Sequence, residues 1–271
     1  MQNTLRDAIR FDDLWTAYGA QGVVALAWWL GAQHAQRIRR EYGSFPLLNV
    51  RGRPGSGKSV LLNYLSKLQG HAHPICVPEG APCFSRARVM ASLGREVLMY
   101  EVSNERRSSF HWRELFDLYS GGAFLVRPPK GLPVRIPFRG ALVISGNSAD
   151  IDELANRLLR VQLIGFYASE PVSKSVEALT ELTCWQAGCF ASLAKHCEKE
   201  IFEIFSRGMP SYTLELLEEY EDEISERQAR NYGQLMSLLD CLCLMLSLSP
   251  TKRLLVRKAI QDMLLFETTP Y

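Results

Sequence analysis

The sequence predicts an α/β fold: a parallel sheet core flanked by helices, with an N-terminal helical segment over residues 1–44 and a C-terminal helical subdomain over residues 170–271. Three observations carry this expectation. Short apolar runs such as FPLLNV, EVLMYEV and GALVISGN alternate with segments of helical periodicity, as strands joined by crossover helices do. The stretch NVRGRPGSGKSVLLNYL, residues 49–65, places a glycine-rich loop between the first of those runs and a helical pattern. From Val172 onward only helical periodicity remains.

Composition bounds the function classes. The 271 residues are 47% hydrophobic and 22% charged, ordinary for a globular chain long enough to bury a large core. A net charge of +2 argues for no partner by itself, so any nucleic-acid contact must rest on where the charge lies. The most apolar early segment, VVALAWWLGA, is about half a membrane span and lacks a cleavage pattern, so it reads as a buried helix; a cytoplasmic protein without a membrane partner is expected. Seven cysteines, an odd number, sit mostly in apolar helical sequence, as reduced thiols do. His71, His73, Cys76 and Cys83 carry zinc-type donors, but their spacing matches no standard ligand pattern and no metal is assigned to them.

Element by element, the first 44 residues read as helix, with Leu5, Ile9, Leu14, Val24, Trp28 and Ile38 apolar, a basic end at RIRREYG and Gly43 as the stop. FPLLNV is a buried strand and KSVLLNYLSKL a helix. HPICV and EVLMYEV read as strands around the helix SRARVMASL, and SFHWRELFDLYSGG as a helix ended by glycine. AFLVRPPKGLPVRIPF is a hairpin about a Pro-Gly turn, followed by the strand GALVISGN. The boundary with the helical tail falls near Ser169, and YGQLMSLLDCLCLMLSLS is that tail's core helix.

Gly52, Gly57, Lys58 and Ser59 complete G-x-x-x-x-G-K-S, the P-loop pattern, in its strand-to-helix context, so residues 45–169 are expected to form a P-loop NTPase core. Glycines let backbone N–H groups close around phosphate oxygens, and the helix N-terminus adds a favourable dipole. The expected nucleotide-binding set is Gly52, Pro54, Gly55, Ser56, Gly57, Lys58, Ser59 and Val60, with Lys58 reaching the β- and γ-phosphates of ATP and Ser59 offering its hydroxyl to Mg²⁺.

Phosphate transfer also needs an acid for the metal or for water, and Glu101 ends the strand EVLMYEV. Many such strands end in two acids, whereas Val102, Ser103 and Asn104 follow here. Asn147, ending ALVISGN, could hydrogen-bond the attacking water or the γ-phosphate; it is also a common turn former. In ANRLLRVQL, Arg157 and Arg160 are each able to stabilise transition-state charge at a neighbouring subunit's nucleotide, the plain alternative being a solvated basic helix face. Between Leu118 and Ala149 there is no Asp or Glu, yet Arg127, Lys130, Arg135 and Arg139 lie in or beside the hairpin, with Lys130 at its tip. Such an arm could touch a nucleic-acid backbone in a salt-sensitive, sequence-indifferent way; a solvated surface hairpin is the alternative.

The motif order RGRPGSGKS, EVLMYEVSN, YSGGAFLVRPPKGLPVRIPFRGALVISGNSADID and ANRLLRV resembles the ATPase module of the primase-helicases of phages and integrated mobile elements. These are superfamily 3-like members of the AAA+ class, often fused to a toprim primase domain. The resemblance spans residues 46–162 and, more weakly, ERQARNYGQLMSLL. It implies a homo-oligomeric ring, commonly a hexamer, with ATP between subunits and hairpins lining a channel for single-stranded DNA. It also implies a primase as fused domain or partner. By motif, Lys58 and Ser59 belong to Walker A, Glu101 to Walker B and Asn147 to sensor 1; Arg157 is the arginine finger, with Arg160 the alternative, and Lys130 the DNA contact at the hairpin tip. The reading is thus an ATP-driven DNA helicase or translocase, set against a nucleotide-dependent loader or scaffold with little turnover and a small-molecule P-loop kinase.

Overall fold

A computed structural model describes residues 2–77, 83–102, 115–120, 122–126, 131–146, 154–165 and 169–268. Three helices open the chain: α1 (Gln2–Ala8), α2 (Phe11–Ala32) and α3 (Ala35–Tyr42), the last ended by Gly43 in the left-handed conformation. Next come β1 (Leu47–Gly52), α4 (Lys58–Lys67), the short β2 (Ile75–Cys76), α5 (Cys83–Ser92) and β3 (Val97–Glu101). The short helix α6 (Phe116–Ser120) leads to an antiparallel hairpin of β4 (Ala123–Val126) and β5 (Val134–Pro137). Strands β6 (Ala141–Ser145) and β7 (Leu158–Leu163) follow. The tail is helical: α7 (Glu170–Glu181), α8 (Cys184–Ala187), α9 (Cys189–His196), α10 (Glu198–Tyr220), α11 (Glu226–Leu246) and α12 (Pro250–Thr268).

The main sheet has the order β2-β3-β6-β1-β7, and each of its adjacent pairs is parallel. After β1 the chain moves outward to β2, returns through β3 and β6, then crosses to the far side of β1 to form β7. The order therefore reverses at β1, and the loop after β1 opens at the kind of carboxyl-edge crevice where α/β sheets receive ligands. The segment LLRVQL, weighed above as a basic helix face, is instead strand β7. Leu159, Val161 and Leu163 are buried and alternate with half-buried Arg160 and exposed Gln162, the period-2 pattern of a strand; the two arginines three residues apart, Arg157 and Arg160, suggest a helix face instead.

Alternating residues feed two cores. On β6, Ala141 and Val143 join a cluster that includes Leu48 and Val50 of β1, Leu61 and Leu65 of α4, and the tryptophans of α2. Leu142 and Ile144 enter the opposite cluster with Leu98, Met90, Phe124 and Phe138. Each such side chain taken fully from water contributes about 1.5–3 kcal/mol. One face of the sheet thus carries α4 with the helices from both ends of the chain, and the other carries α5, α6 and the hairpin. Helix α2 is packed against α7, α11 and α12, and the Trp28 indole donates to the Pro46 carbonyl at 2.9 Å just before β1. Among the described residues no helix is long and apolar enough to cross a membrane.

Candidate nucleotide site at the carboxyl edge of the sheet

The loop between β1 and α4 is shaped by glycine. Gly52, Gly55 and Gly57 have φ of +155°, +79° and +85°, values that side-chain-bearing residues resist. A Cβ on Gly52 would lie 2.3 Å from Ser56 Oγ and 2.8 Å from the Leu163 carbonyl, so the position admits glycine alone. Gly57 is the N-cap of α4 and supplies no side chain to its first amides. By contrast, α8 and α11 are closed by capping boxes, Thr183 with Gln186 and Ser225 with Gln228. Ser56 is buried, and its hydroxyl has no hydrogen-bond partner. The first turn of α4 therefore begins with amides that no side chain caps, a favourable setting for an anion.

Lys58 opens α4, and its Nζ donates back to the carbonyls of Gly52 at 2.7 Å and Arg53 at 3.1 Å. Ser59 follows in the same first turn. Val60 is half-buried beside it, and Pro54 lies exposed in the loop. The loop is braced from α2, where Gly19 breaks helical geometry (φ 56°, ψ −141°) and Tyr18 donates its hydroxyl to the Gly57 carbonyl at 2.9 Å. Burial pushes the Tyr18 hydroxyl pKa well up, keeping it a neutral donor.

Glu101 is exposed at the last position of β3, in register with Ser145, which is in register with Val50. It stands two strands from β1, about 10 Å across the sheet, and two residues short of the level of Gly52. The ends of β3, β6 and β1 are stitched together: Val102 N–H donates to the Ser145 carbonyl at 2.9 Å and Gly146 N–H to the Val50 carbonyl at 3.1 Å. Asn147 is the next residue and lies outside the described residues, as do Arg127 and Lys130, which the sequence expects in the hairpin.

The arginines are elsewhere. Arg157 ends a short 3-10 turn before β7, at the amino edge of the sheet, opposite to the glycine loop of its own chain. Its guanidinium stacks 4.0 Å from the Phe116 ring, and its pKa is lowered by burial and then by neighbouring Arg227. Arg160 lies half-buried within β7, in register with Asn49. On the hairpin, Arg135 and the adjacent Arg139 are exposed, as are Leu132 and Val134. His71 pairs with Glu96 at 2.7 Å and Cys76 is exposed on β2. Among the described residues no three His, Cys, Asp or Glu side chains gather as a metal site.

Several residues escaped sequence reasoning. Asn49 is wholly buried inside the apolar run that marks β1, and its amide donates to the carbonyls of Ile144 and Gly146 at 3.1 and 3.2 Å. A polar residue in the middle of a buried strand was the available signal. Tyr18 and Arg227 carried none, since only tertiary packing brings them to their partners.

No family model matches the chain, and no curated protein matches it. Solved structures do. The structure described as "SCCmec type IV Cch - active helicase" superposes over 99% of this chain and 52% of its own, with a TM-score of 0.68 and 12% sequence identity. This chain thus spans about half of that helicase's length and shares its fold. Two apo structures of the NrS-1 C-terminal region align over 91% and 94% of this chain at TM-scores of 0.33 and 0.31, with 11% and 8% identity, too low to carry an argument.

Proposed function

We propose that this chain is the motor subunit of an ATP-dependent DNA helicase or translocase serving a phage or mobile-element replication system. One observation carries the reading: a glycine loop with uncapped helix amides, Lys58 and Ser59 opens at the point where strand order reverses, in a fold shared with a helicase. The residues fit a magnesium-bound triphosphate. Gly52 lets the loop close tightly over Ser56 and the Leu163 carbonyl where a Cβ would collide, the amides opening α4 have no side-chain cap, and exposed Ser59 with Glu101 offers the hard oxygen donors that Mg²⁺ prefers. When bound, the metal would neutralise charge building on the phosphates. Gly52, Pro54, Gly55, Ser56, Gly57, Lys58, Ser59 and Val60 form the nucleotide cradle, Glu101 orients water, and the role assigned to Asn147 is a hydrogen bond to the attacking water or the γ-phosphate.

Arg157, at the opposite edge from its own loop, acts on the nucleotide of an adjacent subunit, which calls for a homo-oligomer; a hexameric ring is the arrangement proposed. Arg127, Lys130 and Arg135 meet the backbone of single-stranded DNA from the hairpin, and a primase, fused or separate, supplies primers. The second reading, a loader or scaffold that binds ATP with little turnover, is favoured by one feature: Val102, not a second acid, follows Glu101.

The test is an ATPase assay with and without single-stranded DNA, paired with native mass measurement. DNA-stimulated turnover by an oligomer is expected. Tight ATP binding without turnover in the assembled, DNA-bound state would favour the loader, and stoichiometric phosphorylation of a metabolite would favour a kinase.

A further inference from the structure

Three hydrogen bonds converge on the side chain of Asn49. Its amide nitrogen donates to the Ile144 and Gly146 carbonyls, and its oxygen accepts from Arg51 Nε at 2.6 Å. The opposite assignment of the amide would set oxygen against two carbonyls and nitrogen against a guanidinium, so the partners fix the orientation. Gly146 is consequently held at both ends by β1: its N–H by the Val50 carbonyl, its C=O by Asn49. It has φ +143°, and a Cβ there would lie 2.7 Å from Val102 Cβ, so this peptide has little room for another arrangement. Arg51 immediately precedes Gly52, the first residue of the glycine loop, and is half-buried.

We propose that Asn49 and Arg51 are positioning residues that couple the glycine loop to the end of β6. A shift of the loop at Gly52 pulls on Arg51, Arg51 turns the Asn49 amide, and the amide moves the Gly146 carbonyl from which residue 147 is launched. The inference deepens the ATPase reading and rests on it. Asn49 is suited to the task because a buried amide with every partner satisfied is rigid, whereas loss of one partner leaves a desolvated group in an apolar core. Arg51 is suited because its planar donor approaches in one plane, which fixes direction as well as distance.

The experiment is steady-state ATPase kinetics of the full chain with magnesium and single-stranded DNA, comparing wild type with Arg51→Met, Arg51→Lys, Asn49→Leu and the double variant Asn49→Leu/Arg51→Met. Arg51→Met keeps the stem and removes the donor; it is expected to lower kcat about tenfold while KM for ATP stays within about twofold. Arg51→Lys, which can still donate to Asn49 but without the fixed plane of the guanidinium, should recover part of the loss. The double variant should be no slower than Asn49→Leu, as for two members of one chain of bonds. Should Asn49→Leu fail to fold, Arg51→Met with its lysine rescue still decides, because that side chain lies outside the core. Wild-type kcat in Arg51→Met, a change confined to KM, or a lysine no better than methionine overturns the coupling. Wild type without turnover overturns the ATPase reading itself, and is recognised because every variant is then equally inactive.

Discussion

The guanidinium of Arg39, carried by α3, reaches across the chain to donate to the Gly140 carbonyl at 2.7 Å, at the base of the hairpin. It also lies 3.4 Å from the Phe138 carbonyl and 6.0 Å from that residue's ring. Burial pushes its pKa down to about 10, so at neutral pH it remains charged inside the protein. The hairpin is therefore anchored to the helices that precede the sheet. Arg39→Met, which keeps the stem but strands the Gly140 carbonyl, should cost about 2 kcal/mol, read as a lowered thermal midpoint. An unchanged midpoint would show that the anchor is idle.

Lys58 is the second point of leverage. Lys58→Ala removes the cation poised over the loop carbonyls of Gly52 and Arg53, and turnover of ATP should fall by at least ~100-fold. Unaltered ATPase in this variant would remove the loop from the reaction.

Arg157 and Glu101 are expected to belong to different subunits' halves of one shared site. Arg157→Ala should cut kcat by about 10³ with little change in ATP affinity. Mixing it with Glu101→Gln should restore part of the activity, since some interfaces then receive both intact groups. No recovery from co-assembled variants would refute the shared site.

Acid should loosen one tie between the ends of the chain. Asp12 accepts from Arg6 Nε and Lys252 at 3.0 Å each, and the Arg6 bond, ahead of Lys252, holds its carboxyl below the ordinary 3.8. A carboxylate with a depressed folded-state pKa contributes stability above 3.8 that is lost as pH falls through the folded value. Asp12 is largely exposed, so Asp12→Asn should cost only about 0.5–1 kcal/mol in urea unfolding at neutral pH. Once the pH lies below the folded-state value the two proteins should unfold alike; a gap persisting there would point to packing instead of charge.

Much of this architecture can be read from the chain because local and tertiary demands coincide. FPLLNV, EVLMYEV and GALVISGN are strands in both, and the glycine loop stands where G-x-x-x-x-G-K-S requires. Strand β7 is legible in the alternation Leu159-Arg160-Val161-Gln162-Leu163 and escaped because Arg157 and Arg160, three residues apart, also fit one face of a helix. The bracing by Tyr18 and Asn49 escaped for another reason. Each depends on a partner 39 or 95 residues away, and no pattern within a strand or helix encodes that distance.

The Trp28 bond to Pro46 bears on how the molecule can be handled. Anyone trimming the chain to begin at residue 45, hoping for a minimal engine, would strip the sheet of two tryptophans and the tyrosine that steadies its loop. What remained would offer a greasy flank to the solvent, and the sensible expectation for such a fragment is an insoluble pellet.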